Sequence, residues 1–263
     1  MKFYINSGKR SNLVLFTKFI MTQTHRFFVR KEKINPRRTV VDDASVIKKM
    51  RNVLRLEVGD NVVLFDGEGG EYNAEISSLR KEGVELKITS RSERERSEKP
   101  YLILGQALTR STKIDEVVRM NTEIGVSEFV FFASDYSIVK LKDFNEKKLV
   151  RWEKIAQESA RQSERMEVPK INFPIGFDEV LNVDADVKIF LHSREVNGSV
   201  DFRELRDKTA SDKKVLVLIG PEGGFSDSEV KLALQNGFII AFLALPVLRT
   251  ETVGAVVSSI ILY

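Results

Sequence analysis

Ile219-Gly220-Pro221-Glu222-Gly223-Gly224-Phe225-Ser226 is the stretch from which the rest of the chain is read. It follows a short apolar run, Val215–Ile219, of the kind that parallel sheets bury on both faces. It precedes an amphipathic segment, Asp227–Asn236, which Ser226 caps and Glu229, three residues on, completes as a capping box. Gly237 stops that helix. Strand, glycine turn and helix in that order form one unit of an open α/β sheet, where ligands bind beyond the carboxyl ends of the strands. Three glycines there let a ligand approach the backbone and offer bare N–H groups. The spacing is neither GxGxxG nor a loop ending in Gly-Lys-Ser/Thr, so it gives little support to a grip on nucleotide phosphates. A tight turn without a ligand is the plain alternative.

Working outward, the same alternation holds from Pro100 to the end. Tyr101–Ala107, Glu128–Ala133, Val187–His192, Val215–Ile219 and Ile239–Leu243 read as buried strands. Between them lie helical patterns at Lys113–Ile124, closed by Gly125, and at Glu146–Arg165, with Leu149, Trp152, Ile155 and Ala156 on one face. A last helix begins at Glu251 and runs to Tyr263. Alternating strands and helices imply a mostly parallel sheet.

The front of the chain has a different texture. Phe27–Val29, Thr39–Val41, Asn61–Phe65, Glu71–Ile76 and Val84–Ile88 are β-rich, several alternate apolar with polar residues, and Gly59-Asp60, Asp66-Gly67 and Gly69-Gly70 supply turns. One short helix fits at Ser45–Leu54. This is the pattern of a small β-barrel. Thr89–Pro100 holds no large apolar residue and reads as linker, giving a barrel over 22–92, a linker over 93–100 and an α/β domain over 101–263. Residues 1–21 are expected to lie outside the fold, as an extension ahead of the start-like Met21. A weak targeting peptide is the alternative reading.

With no cysteines and two histidines in 263 residues, the chain offers no disulfide, no thiolate site and no histidine cluster for a metal. No run is long and apolar enough to span a membrane, and the expected location is the cytoplasm. The net charge of +4 is uneven: residues 1–20 carry four basic side chains and no acid, 21–99 carry 17 basic and 14 acidic, and 100–263 carry 21 and 24. A basic front half hints at a polyanion, although on charge alone a solvated lysine-rich surface is the better-supported explanation.

Other residues carry chemistry beside the glycine turn. Arg249 and Glu251 in Leu248-Arg249-Thr250-Glu251-Thr252 follow the last strand and so sit at the same edge; a salt-bridged helix start is the plain reading. Arg161 and Arg165 are four apart and expected on one helix face, suited to phosphate or base. Glu158, three residues before Arg161, makes an ion-paired surface the simpler case. His192 closes a strand, where a lone histidine is usually structural.

Taken together, these segments resemble the bacterial ribosomal RNA small-subunit methyltransferase E family, a branch of the trefoil-knotted SPOUT methyltransferases. The resemblance runs from about Thr24 onward. It rests on His25-Arg26-Phe27-Phe28-Val29, Val53-Leu54-Arg55 before Gly59-Asp60, Phe65-Asp66-Gly67, Lys113 with Asp115, Thr122-Glu123-Ile124-Gly125-Val126, Gln162-Ser163 with Arg165 and Pro169, Ile219–Ser226 and Leu248–Thr252. It implies a PUA-like RNA-binding barrel, a knotted α/β domain, a homodimer, and transfer of a methyl group from S-adenosyl-L-methionine to N3 of a uridine in 16S ribosomal RNA, naked or in the assembled small subunit. The cofactor is expected on Leu191, His192, Ile219, Gly220, Pro221, Glu222, Gly223, Gly224, Leu243, Ala244, Val247, Leu248 and Arg249. No metal is expected, because the sulfonium is already an activated donor.

Uridine N3 must lose its proton before it attacks. Arg165 or Arg249 are the candidates to favour the uridinate, and Glu251, or else Glu123, to take the proton. Arg26, Arg30, Arg51, Arg55 and Arg161 are the candidates for RNA contact, with Phe27 or Phe28 stacking on a base. Two departures from the family bear on this. Ala244 stands where a glycine is usual, and its methyl would narrow the adenosine pocket if the backbone there needs positive φ. The chain also ends at Tyr263, sooner than usual. Both motivate the alternative of a degenerate RNA-binding or ribosome-assembly factor of the same fold.

Overall fold

The computed structural model describes residues 25–93, 99–209 and 212–263. The expected extension over 1–21 and most of the linker, 94–98, lie outside these residues. The chain forms two compact units. One takes residues 25–27, 33–64 and 72–91; the other takes 28–32, 65–71 and the described residues from 92 to 263.

Five strands form the first sheet: β1 (Arg26–Phe28), β2 (Thr39–Val41), β3 (Asn61–Phe65), β4 (Gly70–Leu79) and β5 (Val84–Glu93), in the order β1-β3-β4-β5-β2. In β4, Tyr72, Ala74 and Ile76 are buried while Asn73, Glu75 and Ser77 are exposed, the period of two that a one-sided sheet requires. Helix α1 (Ala44–Lys48) starts on Asp43, whose carboxylate accepts from the amides of Ser45 and Val46. A π-helical turn over Lys49–Val53 follows, so the single helix expected at 45–54 changes register halfway. The linker expected from Thr89 begins later. Polar Thr89–Arg91 continues β5, held by the hydroxyl of Thr89 donating to the carbonyl of Asn73 at 3.1 Å.

The second sheet is wholly parallel among its described pairings. Its strands are β6 (Tyr101–Ala107), β7 (Glu128–Phe132), β8 (Lys170–Ile171), β9 (Val187–His192), β10 (Val200–Asp201), β11 (Lys214–Ile219) and β12 (Ile239–Phe242). Their order is β10-β12-β9-β11-β6-β7-β8. Five match the expected strands; the two-residue β8 and β10 are additions at the edges. Helices α2 (Ser111–Ile124), α3 (Glu146–Gln162) and α6 (Thr250–Leu262) cover one face, packing Ile114, Val117, Trp152, Ala156, Val257 and Ile261 on Leu102, Leu104, Phe131 and Val217. Helices α4 (Phe177–Leu181) and α5 (Asp227–Gln235) cover the other, over Ile103, Phe132, Phe190 and Leu218. Burial on both faces is why these strands are unbroken apolar runs in the sequence.

One helix ends earlier than its pattern suggests. Helix α3 stops at Gln162, not at Arg165, in a Schellman turn: Glu164 takes φ +58° and the amide of Arg165 donates to the carbonyl of Ala160 at 2.9 Å. Glutamate in place of the usual glycine hides this stop from the sequence. Arg161 and Arg165 therefore do not share a helix face.

Helices α2 and α6 run side by side in the same direction. Lys113 lies by Glu251 at one end, Asn121 bonds Ser258 midway, and the Tyr263 hydroxyl donates to the Ile124 carbonyl at 3.1 Å at the other end. Gly254 permits this closeness, because a Cβ there would lie 2.8 Å from Asn121 Nδ2 and 3.3 Å from Leu104 Cδ2.

Candidate active site

The register of the second sheet aligns Leu191, Ile219 and Ala241 in one row, with Gln106 beside Ile219. The segments that follow, 192–197, 220–226, 243–249 and 108–110, therefore open together at the carboxyl edge, where an open α/β sheet binds its ligand. Residues expected far apart in sequence meet here: His192, Gly220–Gly224, Leu243–Arg249 and Glu251.

The glycine turn is a hydrogen-bonded reverse turn. The Gly224 amide donates to the Pro221 carbonyl at 2.9 Å, and Gly224 has φ +74°. Gly223 is bare for a different reason: a Cβ there would stand 3.0 Å from Tyr136 Cβ. The expected capping box is present, with the Ser226 amide donating to Glu229 Oε2 at 2.9 Å. Ser226 Oγ also donates to Asp135 Oδ2 at 2.5 Å and the Asp135 amide to Glu229 Oε1 at 3.1 Å, fastening the turn to the loop after β7. Gln106 Nε2 lies 3.3 Å from the Gly220 carbonyl and donates to it from the next strand.

Lys113, in the first turn of α2, joins two segments of this edge. Its Nζ is 2.9 Å from Glu222 Oε1 and 3.8 Å from Glu251 Oε2. Burial pushes the Glu222 carboxyl up, but the hydrogen bond from Lys113, a backbone amide and the nearby cations Lys113 and Arg110 outweigh it and hold the group below its ordinary value. Glu251 Oε2 and Gln106 Oε1 are buried and accept no hydrogen bond. Sequence reasoning quoted Lys113 only within a family resemblance and missed Tyr136, Asp135 and Gln106, whose places depend on strand register.

The remaining candidates divide plainly. Arg249 is exposed at the same edge, as are Ala244 and Val247, the last 79% accessible. Among the described residues, Arg55 and Glu164 are the non-glycine positions with positive φ, so Ala244 carries no left-handed strain. His192 Nδ1 lies 2.9 Å from the Arg194 carbonyl and shapes its own loop. Two residues are not brought to this edge. Glu123 pairs with Arg119 at 3.2 Å near the far end of α2, about 15 Å along the helix from Lys113. Arg165 donates to the carbonyls of Thr122 at 2.6 Å and Val126 at 3.0 Å, and burial pulls its guanidinium below the ordinary value.

Among the RNA candidates, Phe27 requires correction. It is 2% accessible and belongs to the core of the first sheet, so it cannot stack on a base. Strand alternation turns its neighbour Phe28 the other way, to pack on Phe65 at 5.6 Å. Arg30 and Arg55 are exposed, and Arg26 and Arg51 half-buried. Arg161 is held by Glu158 through two bonds of 2.9 and 2.6 Å, the ion-paired arrangement that its spacing allows.

The second sheet with the glycine turn at its carboxyl edge, and most of the first sheet, fall within two matched families, which make the chain an RNA methyltransferase. The RNA methyltransferase domain family matches residues 97–262, and the RNA methyltransferase PUA domain family matches residues 50–89. More narrowly, the chain belongs to the ribosomal RNA small subunit methyltransferase E family. It is 30% identical over 241 residues to that enzyme of Synechocystis, covering 90% of this chain and 76% of the relative. It is 27% identical over 245 residues to that of Bacillus subtilis, covering 90% and 96%. Its fold is shared with the Legionella pneumophila protein Lpg2936, solved in complex with the bound cofactor SAM, at 26% identity and TM-score 0.80 over 91% of this chain and 97% of that one. It is also shared with ribosomal RNA small subunit methyltransferase E of Neisseria gonorrhoeae, at 24% identity and TM-score 0.78.

Proposed function

We propose that this protein transfers a methyl group from S-adenosyl-L-methionine to N3 of a uridine in 16S ribosomal RNA, on the small subunit or its RNA, in the cytoplasm and as a homodimer with a trefoil-knotted second domain. The observation that carries this reading is the row Leu191–Ile219–Ala241, which opens three loops on one edge of the sheet in a chain of this family. The residues present fit the cofactor. Gly224 turns with positive φ and opens on free space, where a Cβ would meet nothing within 4 Å, and Gln106 Oε1 is a buried acceptor awaiting a donor.

Leu191, His192, Ile219–Gly224, Leu243, Ala244 and Val247–Arg249 would hold the cofactor. When bound, it supplies a methyl carbon on a sulfonium, which is already activated, so no metal is required. The protein's part is alignment and proton handling. Three fixed loops hold the reacting groups in line, which supplies much of the acceleration. Glu251 takes the N3 proton, and Arg249, exposed at the same edge, meets the RNA. Arg26, Arg30, Arg51 and Arg55 contribute phosphate contacts.

Calorimetric titration with S-adenosyl-L-methionine tests the cofactor site. Saturable binding near micromolar, about −8 kcal/mol, is expected. No heat at several temperatures would leave an RNA-binding factor of the same fold instead.

A further inference from the structure

Three carboxyl-edge side chains come from three separate segments: Lys113 opens α2, Glu222 lies in the glycine turn and Glu251 opens α6. Lys113 Nζ donates to Glu222 Oε1 at 2.9 Å, which fixes the ammonium in place. Its 3.8 Å separation from Glu251 Oε2 is too long for a hydrogen bond. An ammonium has three N–H groups, and Glu251 Oε2 is buried with no hydrogen bond to accept. Glu251 Oε2 itself has no exposed surface, but the lysine and glutamate side chains stay 30% and 18% accessible, so the ammonium and the carboxylate group come to the surface of this edge side by side.

A planar group with an N–H beside a carbonyl oxygen complements that pair. Uracil presents it on its imide edge, where N3–H lies between O2 and O4. Cytosine does not, because its N3 is an acceptor next to an amino donor. We propose that Lys113 and Glu251 together recognise the imide edge of the target uridine, the Glu251 carboxylate accepting N3–H and Lys113 Nζ donating to an adjacent carbonyl oxygen. The inference rests on the uridine reading above. The proton passes from N3 to the Glu251 carboxylate, and the N–H electron pair stays on N3. The charge then spreads to O2 and O4, one of which faces the ammonium, where a pre-placed cation is most effective. Lys113 thereby takes the cationic role for which Arg165, bonded to two backbone carbonyls, is not available.

The test is methyl transfer to small-subunit particles lacking the modification, with Lys113→Met, Lys113→Arg, Glu251→Gln and the Lys113→Met/Glu251→Gln double variant. S-adenosyl-L-methionine affinity is measured for each by calorimetry. Each of Lys113→Met and Glu251→Gln is expected to lower kcat about 100-fold or more, with cofactor Kd changed less than about threefold. The double variant should be no slower than the slower single, because the two groups act as one unit, and Lys113→Arg should recover part of the loss. Near wild-type turnover in either single variant overturns the proposal. So does a cofactor Kd that loosens in step with kcat, since Lys113 would then act only on the glycine turn through Glu222. Losses that multiply in the double variant also overturn it. Should Lys113→Met fail to fold, the isosteric Glu251→Gln still decides. Wild-type protein that places no methyl on uridine N3 defeats the underlying function and this inference with it, a result distinct from every variant outcome.

Discussion

Ser258 Oγ donates to Asn121 Oδ1 at 2.9 Å, with both side chains fully buried between α6 and α2. Asn121 Nδ2 in turn donates to the Val117 carbonyl at 2.8 Å, so the pair is satisfied inside an apolar contact. It fixes the two helices in register and thereby sets Glu251 beside Lys113. Ser258→Ala would leave Asn121 Oδ1 buried without that donor, and a loss of about 1–3 kcal/mol is expected from urea unfolding. An unchanged midpoint would mean that this bond does not hold the register.

Gly254 supplies the second half of that contact. Alanine is usually better than glycine in a helix by about 1 kcal/mol, yet here its Cβ would stand 2.8 Å from Asn121 Nδ2. The crowding should win, making Gly254→Ala destabilising by about 1–3 kcal/mol. A raised melting temperature would show that α6 can move away at no cost.

Arg165 is read as a brace. Two bonds from its guanidinium to the Thr122 and Val126 carbonyls tie the turn after α3 to the end of α2. Arg165→Ala should cost about 3 kcal/mol of stability, and Arg165→Lys, without the planar fork, should recover only part of it. The kcat of the folded protein should stay within a few-fold of wild type. A loss near 100-fold in a stable variant would return Arg165 to the catalytic group.

The pH dependence follows from Glu222. Its carboxyl is held below the ordinary value, so it contributes stability at and above the pH where the unfolded chain ionises. That contribution is lost as pH falls through the lowered folded value. Wild type should therefore be more stable than Glu222→Gln at pH 7, and urea midpoints should converge in acid, once pH lies below the lowered folded value. A gap that persists in acid would contradict the assignment.

Phe27 and the arginines of the first sheet separate stability from RNA binding. Phe27→Ala should cost about 3–5 kcal/mol, because it empties a core position. Arg55→Ala, at an exposed site, should leave the melting point nearly unchanged and flatten the salt dependence of RNA affinity by about one unit of log–log slope. An unchanged slope would remove Arg55 from the RNA surface.

Much of the second domain was legible because parallel strands write themselves as apolar runs: β6 and β9 fall on the expected residues. The features that escaped lacked a local mark. The Schellman stop at Glu164 has no glycine, and β8 and β10 are two residues long, too short for a period. Which of Phe27 and Phe28 faces inward depends on strand parity, which a one-residue shift reverses. The glycine turn and Glu251 were nominated directly, but Lys113 reaches them only through the pairing of α2 with α6. The concern over Ala244 dissolves because its backbone does not need glycine's conformational freedom.

The most direct test of the central claim is to incubate the protein with small-subunit particles lacking the modification and methyl-labelled S-adenosyl-L-methionine. The RNA is then digested to nucleosides and the labelled product identified. The account predicts about one labelled methyl group per particle, recovered as 3-methyluridine. Label in another nucleoside, or on ribose, would contradict it, as would cofactor binding without transfer.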